Sequence, residues 1–384
     1  MLFWQVLRSN NLMMSGRCCC ARPLVFLRGA FMSSSTSSQG LVGASAVGRR
    51  LVVIALACLL VGIVFASFMV GTYSMDPMQV IDTVRHWATG DVDASMRQSV
   101  TVLFTIRLPR VLLAVMVGAA LSIAGAAYQG VFRNPMVSPD ILGVSSAASV
   151  GVAIGLLLGW HTVAVHVVSF CFGIAAVLLV LAIAHAVGGR SGDTTIVMIL
   201  TGVVIGSIGS ALLSLIKYVA DPDNILPAIT YWLMGSFARA NNSINIVVMG
   251  VVLLIGASVL SFLSWKLNAL TFGEEEARTL GINVKRTRIE IILASTLMTS
   301  TSVCLCGAVG WVGLIIPHMV RMLIGPNYRL LLPVSMLAGA CFMLVVDDAA
   351  RLLVPGELPV GVLTALIGAP LFISLLFRSR NHRL

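Results

Sequence analysis

The chain has 384 residues, 58% of them hydrophobic and only 10% charged. A soluble domain carries about 25% charge, so this composition excludes a protein that covers itself with a water-facing surface; lipid must be its solvent. The formal net charge of +10 does not point to nucleic acid, because basic residues gather at the ends of apolar runs and no basic stripe is interleaved with aromatics.

An apolar run of about 20 residues spans a bilayer, and the sequence has room for about ten. The runs are continuous rather than alternating, which sets aside a β-barrel. The expected fold is an all-α membrane protein with about ten transmembrane helices and both termini cytoplasmic. The eight cysteines form no framework. Cys18, Cys19 and Cys20 are adjacent, the rest lie in apolar runs, and no CxxC pair exists. The six histidines lack metal-ligand spacing, so neither a metal nor a cofactor is expected.

Residues 1–50 hold six arginines and no acidic residue. They read as a poorly ordered cytoplasmic tail or a misplaced start, with Met32 as the alternative initiator; a targeting segment is the other reading. A transmembrane domain follows over 51–378. Its first span is about 51–70, behind Arg49 and Arg50, which put the N-terminus inside. An external, partly helical segment covers 72–106. The second span runs inward from Arg107-Leu-Pro-Arg110 to about Tyr128, and Asn134-Pro135 and Pro139 break the chain near the inner face. Spans three to six follow at about 141–158, 163–187, 196–216 and 244–263, with an inner connection at 188–195 and an outer one at 217–240. After the charged insert 271–288, spans seven to ten cover about 289–305, 311–324, 331–349 and the stretch ending near Phe377. A cytoplasmic tail, 379–384, closes the chain. Lys266, Arg278, Lys285, Arg286, Arg288, Arg329 and Arg378 all fall inside in this arrangement, as the positive-inside rule requires. Gly151, Gly155 and Gly159, like Gly202 and Gly206, have the spacing that lets membrane helices approach closely.

Chemistry of its own is missing from the sequence. It has no GxxxxGK[ST] phosphate loop, no GxSxG, no HExxH and no carboxylate pair within a span. An enzyme acting alone is not expected. Ion-coupled carriers place ionisable residues at mid-membrane, and here the span interiors hold almost none. Asp347 and Asp348, near the end of the ninth span, read as interface residues or as partners of Arg351. Energy must therefore come from elsewhere. The insert TFGEEEARTLGINVKRTR offers a route. Glu274 and Arg278 stand at i, i+4, the glutamates occupy the first turn, Gly281 suits a C′ stop, and Lys285, Arg286 and Arg288 anchor the next span. From the residues alone it is equally a docking helix for a cytoplasmic ATPase or a solvated loop helix.

From about Leu51 to Arg378 the chain resembles the permease subunits of ABC importers for iron-siderophores, haem and vitamin B12. The motifs that carry this are RLPRVLLAVMVGAALSIAGAAYQGVFRNPMVSPDILGVSSAA at 107–148, EEEARTLGINVKRTR at 274–288, GAVGWVGLIIPHMVRMLIGPNYRLLLP at 307–333 and ELPVGVLTALIGAPLFISLLFR at 357–378. The resemblance implies the type II importer architecture, paired permeases around a central pathway, two cytoplasmic ATPase subunits and an external substrate-binding protein, in a bacterial inner membrane. It also implies roles. Glu276, Ala277, Arg278, Leu280 and Gly281 match the ATPase-coupling helix. Arg107, Arg110 and Arg351 match external arginines that meet the binding protein. Thr194 and Thr195 fall near the inner gate, where the surrounding residues diverge from the family pattern. The first fifty residues match nothing in the family. Ferric siderophore is the leading substrate, then haem, then cobalamin. An ion-coupled secondary transporter, which midplane charges and inverted repeats would favour, and a membrane scaffold without a coupling helix are the alternatives.

Overall fold

The computed structural model describes residues 46–381 except 72, 91–92, 94–95, 189–193, 240–242 and 355. Most of the N-terminal tail, the middle of the inner connection 188–195 and the last three residues therefore lie outside the described residues. Helix follows helix: α1 (Ala46–Met69), α2 (Pro77–Thr89), α3 (Arg97–Val100), α4 (Leu108–Val131), α5 (Val144–Leu157), α6 (Thr162–Gly188), α7 (Thr194–Val219), α8 (Ile225–Leu233), α9 (Ser243–Phe262), α10 (Ser264–Phe272), α11 (Glu274–Thr279), α12 (Val284–Cys306), α13 (Val312–Ile324), α14 (Tyr328–Leu353) and α15 (Val360–Asn381). No strand occurs among the described residues.

Among the described residues seven helices are long and apolar enough to cross a membrane, and the shorter α5 and α13, with the apolar stretch 360–375 of α15, stand where the other three spans are expected. At 1.5 Å per residue, the 14 residues of α5 reach only about 21 Å. The second span begins earlier than its RLPR motif. One continuous helix of 35 residues runs from Arg97 to Val131, with a π-helical turn at Thr101–Arg107.

α4, α12 and α14 bury most of their length, whereas α1, α7 and α9 are largely exposed. Exposure of apolar side chains is the expected state of a lipid-facing helix. The buried helices pack through small and polar residues. On α12, Ser295, Thr296, Thr299, Ser300, Thr301 and Ser302 are all buried. Four of them satisfy their hydroxyls by donating to the carbonyl four residues back, as Ser and Thr do in membrane helices. Ser300 instead donates to the Phe170 carbonyl on α6 at 3.1 Å.

Backbones touch where glycines face each other. A Cβ on Gly118 would lie 2.3 Å from the Gly339 carbonyl oxygen, and one on Gly125 only 1.7 Å from that of Gly313. These contacts seat α4 against α14 and α13. Gly151 and Gly155 press α5 against α6, while Gly159 has open space around its Cβ position, so only two of that trio serve packing. Gly125→Val should cost about 3 kcal/mol, the upper range for overpacking, because backbone rather than a side chain must move. Gly250→Ala is the control: its nearest neighbour would be the Met116 sulfur at 3.6 Å, an ordinary contact. Thermal unfolding in detergent should separate the two, and equal melting would contradict the packing described here.

Candidate functional site

The charged insert 271–288 holds the end of α10, the short α11 and the first turn of α12. α10 continues from α9 through Leu263 and stops at Gly273, whose φ of +139° turns the chain into α11. The close of α11 explains the glycine at 281. Its φ is +78°, Ile282 N–H donates to the Ala277 carbonyl at 3.1 Å, and Gly281 N–H donates to the Arg278 carbonyl at 2.9 Å. That is the Schellman pattern, which needs a left-handed residue at C′. Asn283 then caps α12 by accepting from Arg286 N–H at 3.1 Å.

This loop is braced at two points. Glu274 pairs with Arg278 at 3.3 Å and with Arg288 on α12, whose side chain is only 6% exposed. Burial alone would push the Glu274 carboxyl up, but the hydrogen bond and charge of Arg288, with Arg278 and Arg133, hold it below the usual carboxylate range. Arg288 is thus a buried partner of the loop rather than the surface anchor expected of it. On α10, Asn268 donates to Asn327 Oδ1 at 3.1 Å and accepts from Tyr328 N–H at 2.8 Å, which ties the insert to the start of α14. Both braces end on helices of the buried core.

What the loop leaves open is a small mixed face. Glu275, Glu276, Arg278, Thr279, Leu280 and Gly281 are exposed, Leu280 by 58%. Ala277 is fully buried. Of the five residues expected to couple to an ATPase, four share the exposed face and Ala277 faces inward as packing. Sequence reasoning missed Phe272, which is 78% exposed beside them. An aromatic abutting a charged run was the available signal.

The three arginines expected to dock a binding protein meet in one cluster, and it is buried. Arg107, Arg110 and Arg351 are 4%, 6% and 9% exposed. Arg110 donates from Nε and Nη2 to Asp347 at 2.8–3.0 Å and from Nη1 to both oxygens of Glu357 at 2.7 and 2.8 Å. Arg351 lies 3.3 Å from Asp347, pairs with Asp348, and donates to the Ser67 hydroxyl at 2.6 Å and the Val70 carbonyl at 3.0 Å. Arg107 donates to the carbonyl of Phe68, in the last turn of α1 where carbonyls lack helical partners, and to that of Tyr73 in the segment that follows. The pairing of Asp347 and Asp348 with Arg351 was legible in the sequence; the role of Asp347 as a bridge to Arg110 was not.

Glu357 is the exposed edge of this cluster, its side chain 39% accessible. Its φ is +64°, a region costly for a residue with a side chain, and the Arg110 pair helps hold it there. A cavity of about 120 Å³ opens beside Arg107, Arg110, Arg351 and Glu357.

Thr194 and Thr195 begin α7 and are half-buried. Thr194 lines a cavity with His185, Lys285 and Arg288, adjoining the brace from the charged loop. The candidate gate is thereby next to the root of the candidate coupling helix. No group of three or more metal-ligating side chains exists among the described residues.

Comparison with known proteins accounts for this combination. The FecCD transport family matches residues 58–378. The molybdate import system permease protein MolB of Haemophilus influenzae is 39% identical over 327 residues, covering 85% of this chain and 95% of that protein. A probable iron chelatin transport system permease protein of Helicobacter pylori is 35% identical over 330 residues, covering 85% and 98%. A solved metal-chelate type ABC transporter in an inward-facing conformation superposes with a TM-score of 0.75 at 38% identity, covering 86% of this chain and 99% of that one. The chain belongs to the FecCD transport family, as a permease subunit of an ABC importer.

Proposed function

We propose that this permease forms, with a second identical or paralogous copy, the pathway for a ferric chelate across a bacterial inner membrane. Its transmembrane domain is 51–378, with the coupling loop at 271–288 and tails at 1–50 and 379–384. A substrate-binding protein delivers the chelate outside and two ATPase subunits drive the cycle from the cytoplasm. Likeness over nearly full length to a metal-chelate type transporter and to an iron chelatin permease carries the substrate reading. The likeness to the molybdate permease supports a second one, in which the cargo is a metal oxyanion.

Glu276, Arg278, Leu280 and Gly281, together with Phe272, form the contact for the ATPase, and Ala277 holds that surface in place from beneath. A push on α11 passes through Glu274 and Arg288 into α12, and through Asn268 and Asn327 into α14. Both are buried helices of the core, so the push tilts a rigid body rather than bending a loop. Thr194 and Thr195 sit beside the first of these connections and move with it. Arg107, Arg110 and Arg351 act at the docking face by shaping the outer ends of α1, α4 and α14. Glu357 is the carboxylate a partner's acidic side chain would displace from Arg110.

The cargo is tested by uptake into proteoliposomes holding the permease, its ATPase and ATP, with its substrate-binding protein supplied outside. Radioactive iron as a ferric siderophore should accumulate and unlabelled ferric siderophore should compete. Accumulation of molybdate without iron uptake would replace the leading reading by the second.

A further inference from the structure

Two cavities at the outer ends of α5, α6, α8 and α9 share one residue, His166. The first, about 300 Å³, has Trp160, Tyr231, Trp232 and Arg239 around His166. The second, about 250 Å³, runs between α6 and α9 past Val163, Val167, Phe170, Val248 and Val252, and its lining is almost wholly apolar. Val163, Val167 and Val248 are also exposed at its rim, by 52%, 55% and 42%. An apolar groove open to the hydrocarbon cannot hold stable water and must be filled by something apolar. At its outer end the chemistry changes. Arg239 donates only to the Tyr231 carbonyl, at 3.2 Å, and pairs with no acidic side chain among the described residues. Trp160 and Tyr231 are exposed beside it, as aromatic side chains are at headgroup level.

We propose that these cavities together bind one anionic phospholipid of the outer leaflet, its phosphate at Arg239 and His166 and one acyl chain in the groove between α6 and α9. The charge complementarity is the argument. Arg239 stands at the mouth of the groove, beside Trp160 and Tyr231, with no carboxylate paired to it among the described residues. Such a lipid would wedge α6 against α9 from the membrane side. The inference rests on the bilayer orientation alone and not on the cargo or the coupling role.

Native mass spectrometry of the full-length chain, delipidated in detergent and titrated with phosphatidylglycerol or phosphatidylcholine, tests it. One basic residue near a lipid surface contributes about fivefold, so phosphatidylglycerol should bind about fivefold more tightly than phosphatidylcholine. Arg239→Gln, in an exposed loop, should abolish that preference, and His166→Gln should reduce it. Val248→Trp, which fills the groove, should weaken both lipids alike. Equal binding of the two lipids by the unaltered chain, or an undiminished preference in Arg239→Gln, would overturn the proposal. Displacement of phosphatidylglycerol by millimolar inorganic phosphate would make this a free anion site instead. A Val248→Cys crosslink between two copies in membranes would assign the groove to a subunit contact.

Discussion

Asp347→Asn is expected to be among the most destabilising single substitutions in this chain. Asp347 is fully buried and holds two guanidiniums, Arg110 at 2.8 Å and Arg351 at 3.3 Å. Removing one partner of a buried ion pair costs roughly 3–5 kcal/mol, because the other charge is left without compensation. Here the cost should fall near the lower end of that range. Arg110 keeps Glu357 and Arg351 keeps Asp348, so neither is stripped of every carboxylate. Glu357→Gln removes a carboxylate that is 39% exposed and should cost no more than about 1 kcal/mol, less whatever the strained backbone at 357 returns. The pair of variants distinguishes a structural clamp from a surface array. Thermal unfolding in detergent should place Asp347→Asn well below the unaltered chain and Glu357→Gln close to it. If the two melt together, the cluster does not hold α1, α4 and α14 in the way described.

The second large effect is on transport rather than on stability. Replacing Glu276–Gly281 with a Gly/Ser linker removes the exposed side chains of Glu276, Arg278, Thr279 and Leu280 and the Schellman close of α11 while leaving Glu274 and its partner Arg288 in place. The contact would then have neither shape nor stiffness. ATP hydrolysis by the assembled complex should continue and uptake should fall to background. The helices of the core should survive, because of the six residues only Ala277 is buried. Uptake and hydrolysis measured on the same proteoliposomes check this, and uptake at the normal rate would reject the coupling role. A narrower variant, Leu280→Asp, sets a charge on an exposed apolar contact and should produce the same uncoupling in milder form.

Much of this fold was legible before any coordinates. Continuous apolar runs and basic inner loops gave the order of the spans, and helix boundaries such as 162–188 and 194–219 fall close to the ends of those runs. Gly281 was legible as a stop because only one local geometry asks for glycine there. Harder to see was the early start of the second span, since Arg97 is separated from the apolar run by polar residues and a π-helical turn leaves no periodic mark in composition. The short α5 and α13 stand where full spans were expected. Their apolar runs extend into loops, and hydropathy alone does not say where the helix ends.

The site was legible in its residue types and misleading in its exposure. Arg107, Arg110 and Arg351 lie at the ends of apolar runs, where an arginine ordinarily reaches for the membrane surface. The acidic partners of Arg110 come from α14 and from residue 357, more than two hundred residues away. No local pattern records a pairing at that separation. Arg288 misled in the same way: it reads as one of three surface cations, yet Glu274 and the packing of α12 draw it inside. Ala277 shows the reverse case. It is fully buried, and within the proposed coupling motif only packing explains an alanine.

The claim on which the rest depends is that this chain moves its cargo only when a separate ATPase drives it. Proteoliposomes made with the permease alone, and with permease, ATPase and binding protein together, test it most directly. Uptake should appear only in the complete system and only with ATP. Uptake by the permease alone under a proton or sodium gradient would contradict the account.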